Sequence, residues 1–187
     1  MPFSRLLLIA ANTRKYIAGK HRDDKVELKS KDISRSQSNE LVLFFQIDDE
    51  EIRRSLNMQG DGVKCCDGLI FYAQNEQTEK VICLVEMKSS NTGKAAEQIG
   101  ETRKRLKDML EAEFCGDYMH RITWKACLYR SHAFLGETES IKRDLVKYGF
   151  KREDIVFLDK TDNDIGPLLR GKLKIMKTSK GNAKHRH

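Results

Sequence analysis

The chain has 187 residues, 39% of them hydrophobic and 34% charged. That is one soluble domain, able to bury roughly 70% of its unfolded surface without staples. Five cysteines, an odd number, and no secretory signal exclude a secreted disulfide framework and predict reduced thiols in a cytoplasm.

The net charge of +7 lies wholly at the C-terminal end. Residues 170–187 hold seven Lys/Arg and no acid, so the remaining 28 basic residues balance the 28 acids. Residues 1–35 hold nine basic residues against four acids, which leaves the centre of the chain net acidic.

The run Leu6-Leu7-Leu8-Ile9-Ala10-Ala11 is too short to cross a bilayer and predicts the apolar face of an N-terminal helix over 4–18. Residues 23–38 read as a polar connection with room for one short strand. Glu40 to Ile47 predicts a strand. Asp48 to Leu56 predicts a short helix with acids in its first turn, where the helix dipole favours them. Val63 to Tyr72 and Lys80 to Lys88 are rich in β-branched and aromatic residues and bounded by polar stretches. They predict two strands joined by a turn at 75–78. A long helix follows from about Lys94 to Phe114, capped by Asn91 or Thr92. Ala95, Ile99, Leu106, Met109 and Leu110 form its apolar stripe. Arg103, Lys104, Arg105 and Lys107 make its outer side basic, either paired to Glu101, Asp108 and Glu111 or lining a nucleic-acid groove. Alternation over Arg121 to Ser131 predicts another strand, and Thr138 to Tyr148 a helix stopped by Gly149. Ile155 to Leu158 reads as a short buried strand and Asp164 to Arg170 as a last helical turn. The fold predicted is α/β, a central mixed β-sheet flanked by helices. One domain spans 1–170, and a basic tail without fold signal occupies 171–187.

The two strands around the 75–78 turn carry the candidate chemistry. A hairpin symmetric about Glu76/Gln77 places Asp67 opposite Glu86, with Cβ atoms roughly 5 Å apart on one face of the sheet. Period-two alternation brings Lys88 to the same face. Two carboxylates this close repel unless a cation or a shared proton relieves them. Their hard oxygens suit Mg²⁺, which takes one or two protein carboxylates and keeps water or phosphate oxygens on its other positions. A protonated lysine beside such an ion is no ligand. It can hold an attacking water or balance charge on a phosphoryl group in the transition state. These charges end the apolar run Val81 to Val85, which reads as buried on both faces, and charge there is costly unless paired or used. The plain alternative is a solvated strand edge.

Asp67, followed about nineteen residues later by Glu86-Met87-Lys88 and then by a helix, resembles the PD-(D/E)XK nuclease superfamily over 63 to about 130. Asp67 matches the motif's first acid, Glu86 its second and Lys88 its lysine. Cys66 stands where the motif's proline would, a position often filled otherwise in that family. The resemblance implies a restriction-endonuclease-like core with the order β-β-α-β. It also implies a divalent metal, Mg²⁺ with Mn²⁺ as substitute, held by Asp67, Glu86 and the main-chain carbonyl of Met87. Some members carry a glutamine on the following helix, for which Gln98 is the candidate. Some carry an upstream acid, for which Glu40 is the candidate; its alternative is a solvated residue opening a strand.

The expected activity is metal-dependent hydrolysis of phosphodiester bonds in DNA, with RNA as the other substrate. The second reading is a catalytically inactive nuclease-fold domain that binds nucleic acid or bridges subunits of a larger defence, repair or mobile-element complex. A homodimer fits either, and a membrane partner fits neither. The basic tail suits phosphate backbones, with salt-sensitive and sequence-blind affinity, or serves as a solubilising end. Cys115, His120, Cys127 and His132 lack the close cysteine pair of zinc patterns. Cys65-Cys66, Trp124 and Tyr129 are assigned to packing. There is no Gly-rich phosphate loop and no nucleophile elbow.

Overall fold

The computed structural model describes residues 16–19, 24–28, 40–74, 79–88, 94–113, 116–130 and 137–171. Five strands form the main sheet: β3 (Glu40–Gln46), β4 (Gly68–Gln74), β5 (Lys80–Lys88), β6 (Ile122–Arg130) and β7 (Ile155–Leu158), in that spatial order. β3, β4 and β5 pair antiparallel, and β5, β6 and β7 pair parallel. The sheet is therefore mixed, as the sequence predicts. Helices α1 (Glu50–Ser55), α2 (Ala95–Glu113), α3 (Thr138–Lys147) and α4 (Gly166–Leu169) flank it, and a small hairpin, β1 (Tyr16–Ala18) with β2 (Lys25–Glu27), completes the described fold.

Strand alternation sorts the core into two faces. On one, Phe45, Leu69, Ile82, Leu84, Trp124 and Leu128 pack against Ile99, Leu106 and Leu110 of α2 and Ile141 and Leu145 of α3. On the other, Phe44, Ile70, Cys83, Val85, Cys127 and Tyr129 pack beneath Ile17 and Val26 of the hairpin and Leu168 and Leu169 of α4. β5 lies between the two cores and is buried from Val81 to Glu86. That is why its sequence is continuously apolar instead of alternating.

Two predicted elements need correction. The N-terminal helix expected over 4–18 has its last residues, 16–18, in strand β1; residues 1–15 lie outside the described residues. The strand is held by groups far away in sequence. The Gln46 amide accepts from the Ala18 N–H at 3.0 Å and donates to the Ala18 carbonyl at 3.1 Å. Ile17 lies on the bare backbone of Gly68, where a Cβ would meet its side chain at 2.7 Å. The strand expected over 63–72 begins only at Gly68, because the backbone before it bonds to helix side chains instead of a neighbouring strand. The 75–78 turn, the caps Asn91 and Thr92, and residues 172–187 lie outside the described residues. Asp49 caps α1 by accepting from the Glu51 N–H at 3.0 Å, with Glu50 and Glu51 in the first turn. Gly149, at φ +86°, ends α3.

The basic outer side of α2 is mixed in character. Arg103 turns inward: its guanidinium lies 5.3 Å from the ring centroids of both Trp124 and Phe150 and donates to the Tyr148 carbonyl at 2.5 Å. It locks α2 to the end of α3. Lys107 pairs with Glu111 at 3.3 Å, while Lys104 and Arg105 are exposed.

Candidate active site

The β4–β5 register runs from Gly68 opposite Val85 to Ala73 opposite Lys80, which is the pairing symmetric about Glu76/Gln77. One step past its end, Asp67 reaches Glu86. Asp67 has left the ladder, and its Oδ2 accepts the Met87 N–H at 2.6 Å. Glu86 and Lys88 share the parity of Ile82 and Leu84, so they stand on the α2 face of the sheet. Met87 points to the opposite face and packs against the second core.

Helix α2 closes the cluster. Lys88 Nζ lies 2.5 Å from Glu86 Oε1 and donates to Gln98 Oε1 at 2.6 Å. Gln98 Nε2 in turn donates to the Cys65 carbonyl at 3.1 Å. One turn later, Thr102 Oγ1 accepts from the Cys66 N–H at 2.9 Å and donates to the Gln98 carbonyl at 2.7 Å. The Asp67 carbonyl accepts from the Ile47 N–H at 2.8 Å. Asp67, Glu86, Lys88 and Gln98 are thus brought together by two strands and the first turns of one helix. Thr102 is the positioning residue that the sequence reading missed. Its signal was a polar residue four places after Gln98, on the face that carries Ile99 and Leu106.

Burial and charge make Glu86 the unusual group. It is 1% exposed, and its pKa is pushed up to about 7, first by burial and then by the negative charge of Asp67. The hydrogen bond and charge of Lys88, with the Asp67 backbone, pull the other way. Its Oε2 is buried with no hydrogen-bond partner among the described residues. A buried acceptor without a partner is rare and costly. The Cys65 and Cys66 thiols are also pushed up, in both cases chiefly by burial, so they stay protonated and are poor nucleophiles. The charges of Arg53, Glu86, Asp67 and Asp48 also act on Cys65, Arg53 pulling its pKa down and the three acids pushing it up.

Glu40 is at the other end of β3, opposite Gln74, whereas Gln46 faces Gly68. It is not solvated either. Its carboxylate takes Arg170 Nε at 2.9 Å and Nη2 at 3.0 Å, and accepts from the Tyr72 hydroxyl at 2.8 Å. Cys127 is fully buried in the second core and His120 is exposed, while Cys115 and His132 lie outside the described residues. Trp124 and Tyr129 are core residues, 8% and 1% exposed.

Among the described residues, no three or more His, Cys, Asp or Glu gather as a metal-binding group. None of their helices is long and apolar enough to cross a membrane. No protein-family model, curated protein or solved structure matches the chain. What the cluster can do chemically follows from its own donors. Two carboxylates, one oxygen without a partner and a fixed ammonium can hold a hard divalent cation and face an anion.

Proposed function

We propose that the chain is a Mg²⁺-dependent nuclease with a restriction-endonuclease-like core, hydrolysing phosphodiester bonds in DNA. The observation that carries this reading is Glu86, buried at 1% with a lone Oε2, beside Asp67 and in contact with Lys88. A divalent cation fits there. Glu86 would offer it the orphan oxygen, and the ion's charge would offset the burial and, after it, the Asp67 repulsion that raise the Glu86 pKa. Asp67 and Glu86 would hold it, with the carbonyl of Met87 as the third protein ligand that the resemblance supplies. When bound, Mg²⁺ lowers the pKa of a coordinated water and neutralises charge at the phosphate.

The chain's own residues do the rest. Lys88, fixed between Glu86 and Gln98, keeps its ammonium where it orients the water or counters charge on the pentacovalent phosphate. Gln98 sets the height of that ammonium by anchoring to the Cys65 carbonyl. The burial of Glu86 keeps bulk water off the ligating oxygens, so charges act in a low dielectric. The basic segment 171–187 adds sequence-blind contact to phosphate backbones, and RNA is the other polyanion it would accept.

Cleavage of DNA in Mg²⁺ or Mn²⁺ by wild type, Asp67→Ala and Lys88→Ala tests the proposal. Both variants are expected to lose at least about a hundredfold in rate. Equal activity in all three, or cleavage without a divalent metal, contradicts it. Salt-dependent DNA binding with no cleavage under any divalent metal would identify a binding domain instead.

A further inference from the structure

We propose that Arg53 is a substrate-binding residue of this site, its guanidinium taking a backbone phosphate of the nucleic acid a few nucleotides from the one that is cut. The inference rests on the nuclease reading above. Arg53 lies in the last turn of α1. Its neighbour Ile52, with Leu56 just after the helix, packs in the α2-side core beside Phe45, Leu69 and Ile99. That is the face of the sheet that carries Glu86 and Lys88. The segments 47–53 and 63–67 are joined at both ends. At one end the Ile47 N–H donates to the Asp67 carbonyl at 2.8 Å. At the other, Arg53 Nη2 reaches the Val63 carbonyl at 3.5 Å, a long contact. Asp67 follows Val63 by four residues, so the chain sets the two no more than about 14 Å apart. One DNA strand carries a phosphate about every 3.4 Å of helix axis. A strand that leaves Asp67 toward α1 therefore meets Arg53 within about four nucleotides.

The cations around Arg53 are already matched. Lys88 lies 2.5 Å from Glu86, Lys64 2.5 Å from Glu97 and Arg54 3.3 Å from Glu50. Arg53 forms no ion pair among the described residues; its contacts there are to two neutral carbonyls. Nε donates to the Met58 carbonyl at 3.2 Å, and Nη2 makes the contact to Val63. These carbonyls fix the orientation of the fork without neutralising its charge. Nη1 has no hydrogen-bond partner among the described residues and is not buried, and the residue as a whole is partly exposed. The Nη1 end is therefore open to an anion, and a guanidinium meets phosphate oxygens in strong, charge-assisted bonds. The Arg53 charge acts on Cys65 together with those of Glu86, Asp67 and Asp48, which agrees with a cation set beside the acids. A nucleic-acid strand brings a row of negative charges past those acids, and Arg53 offsets them at the edge of the site.

The test measures binding of a fluorescent DNA duplex by anisotropy over a salt series, with Ca²⁺ present, for wild type, Arg53→Gln, Arg53→Lys and the neighbouring control Arg54→Gln. Arg53→Gln is expected to weaken binding about tenfold and lower the salt slope by about 1. Arg53→Lys should keep the slope with intermediate affinity. It decides the test if Arg53→Gln does not fold, since a slope lowered by about 1 in Arg53→Lys overturns the inference. Arg54→Gln should bind as wild type; a loss equal to that of Arg53→Gln overturns the inference, because any cation of α1 would then act alike. Calorimetric binding of Mn²⁺ should be the same in wild type and both Arg53 variants. Wild-type affinity and slope in Arg53→Gln overturn the inference, as does loss of Mn²⁺ binding in both Arg53 variants, which marks a structural role. Cleavage by wild type with equal cleavage by Arg53→Gln sinks this inference alone. Arg53-dependent binding without any cleavage sinks the nuclease reading alone, and a wild type that binds no duplex sinks both.

Discussion

Glu86 concentrates the electrostatic strain of the site in one carboxylate. A folded-state pKa of about 7 against an ordinary 4.5 means that the native state binds a proton more tightly than the unfolded chain between those values. Stability is therefore greatest below about pH 4.5 with respect to this group, and is lost as pH rises through 7. At pH 8 the ionised form costs about 3 kcal/mol. In a chelator, Glu86→Gln is expected to be more stable than wild type at pH 8, by up to that amount, and to show little advantage near pH 4.5. Urea unfolding at both pH values measures it. Equal stability at pH 8 would show that Glu86 bears no such penalty. Lys88 was legible for the same reason that Glu86 was, since charged residues closing an apolar run demand partners; Gln98 came only from the family resemblance. The ion-paired place of Glu40 was not legible. It needs the end of β3 to which Glu40 belongs and the position of Arg170, 130 residues away from it.

At the scale of elements, α2 aims the site. Its side chains at Gln98 and Thr102 satisfy the Cys65 carbonyl and the Cys66 N–H, so the segment before β4 abandons sheet pairing and swings Asp67 toward Met87. Composition alone predicts a strand there, because Val63 to Asp67 has the residues of one; a tertiary hydrogen bond overrides the propensity. Thr102→Val keeps the shape and removes both bonds. It is expected to cost about 1–2 kcal/mol in stability and, on the proposed nuclease function, to lower the turnover of bound DNA more than the affinity for it. A urea titration and a kcat–KM split check this; unchanged turnover would mean that Asp67 is placed without α2. The close approach of α2 and α3 has its own device, since a Cβ at Gly100 would enter the Tyr148 ring. A glycine in a helix interior is an unfavourable choice, and only the packing explains it.

Across the whole molecule, three layers separate support from chemistry. Helices α1, α2 and α3 cover one face of the sheet, and the β1–β2 hairpin with α4 covers the other. Buried ion pairs brace the structure away from the site: Glu40 with Arg170, and Lys125 with Asp154 at 3.6 Å and with the Leu168 carbonyl at 2.7 Å. The mixed sheet, the hairpin register and the long helix were legible because each is a local pattern of period or burial. The short strand expected within 23–38 is β2, but its pairing with β1 was not legible, because the hairpin is held by Gln46, by packing on Gly68 and by Asn163, whose amide donates to the Lys25 carbonyl at 3.2 Å. No window around 16–27 contains these partners. All three layers leave one pair of acids at one sheet end. The most direct measurement of what that pair does is a crystal soaked in Mn²⁺ and recorded near the manganese absorption edge. The expected result is an anomalous peak between Asp67 and Glu86, absent in Asp67→Ala. No peak there, with Glu86 still held by Lys88, would contradict a metal-dependent site.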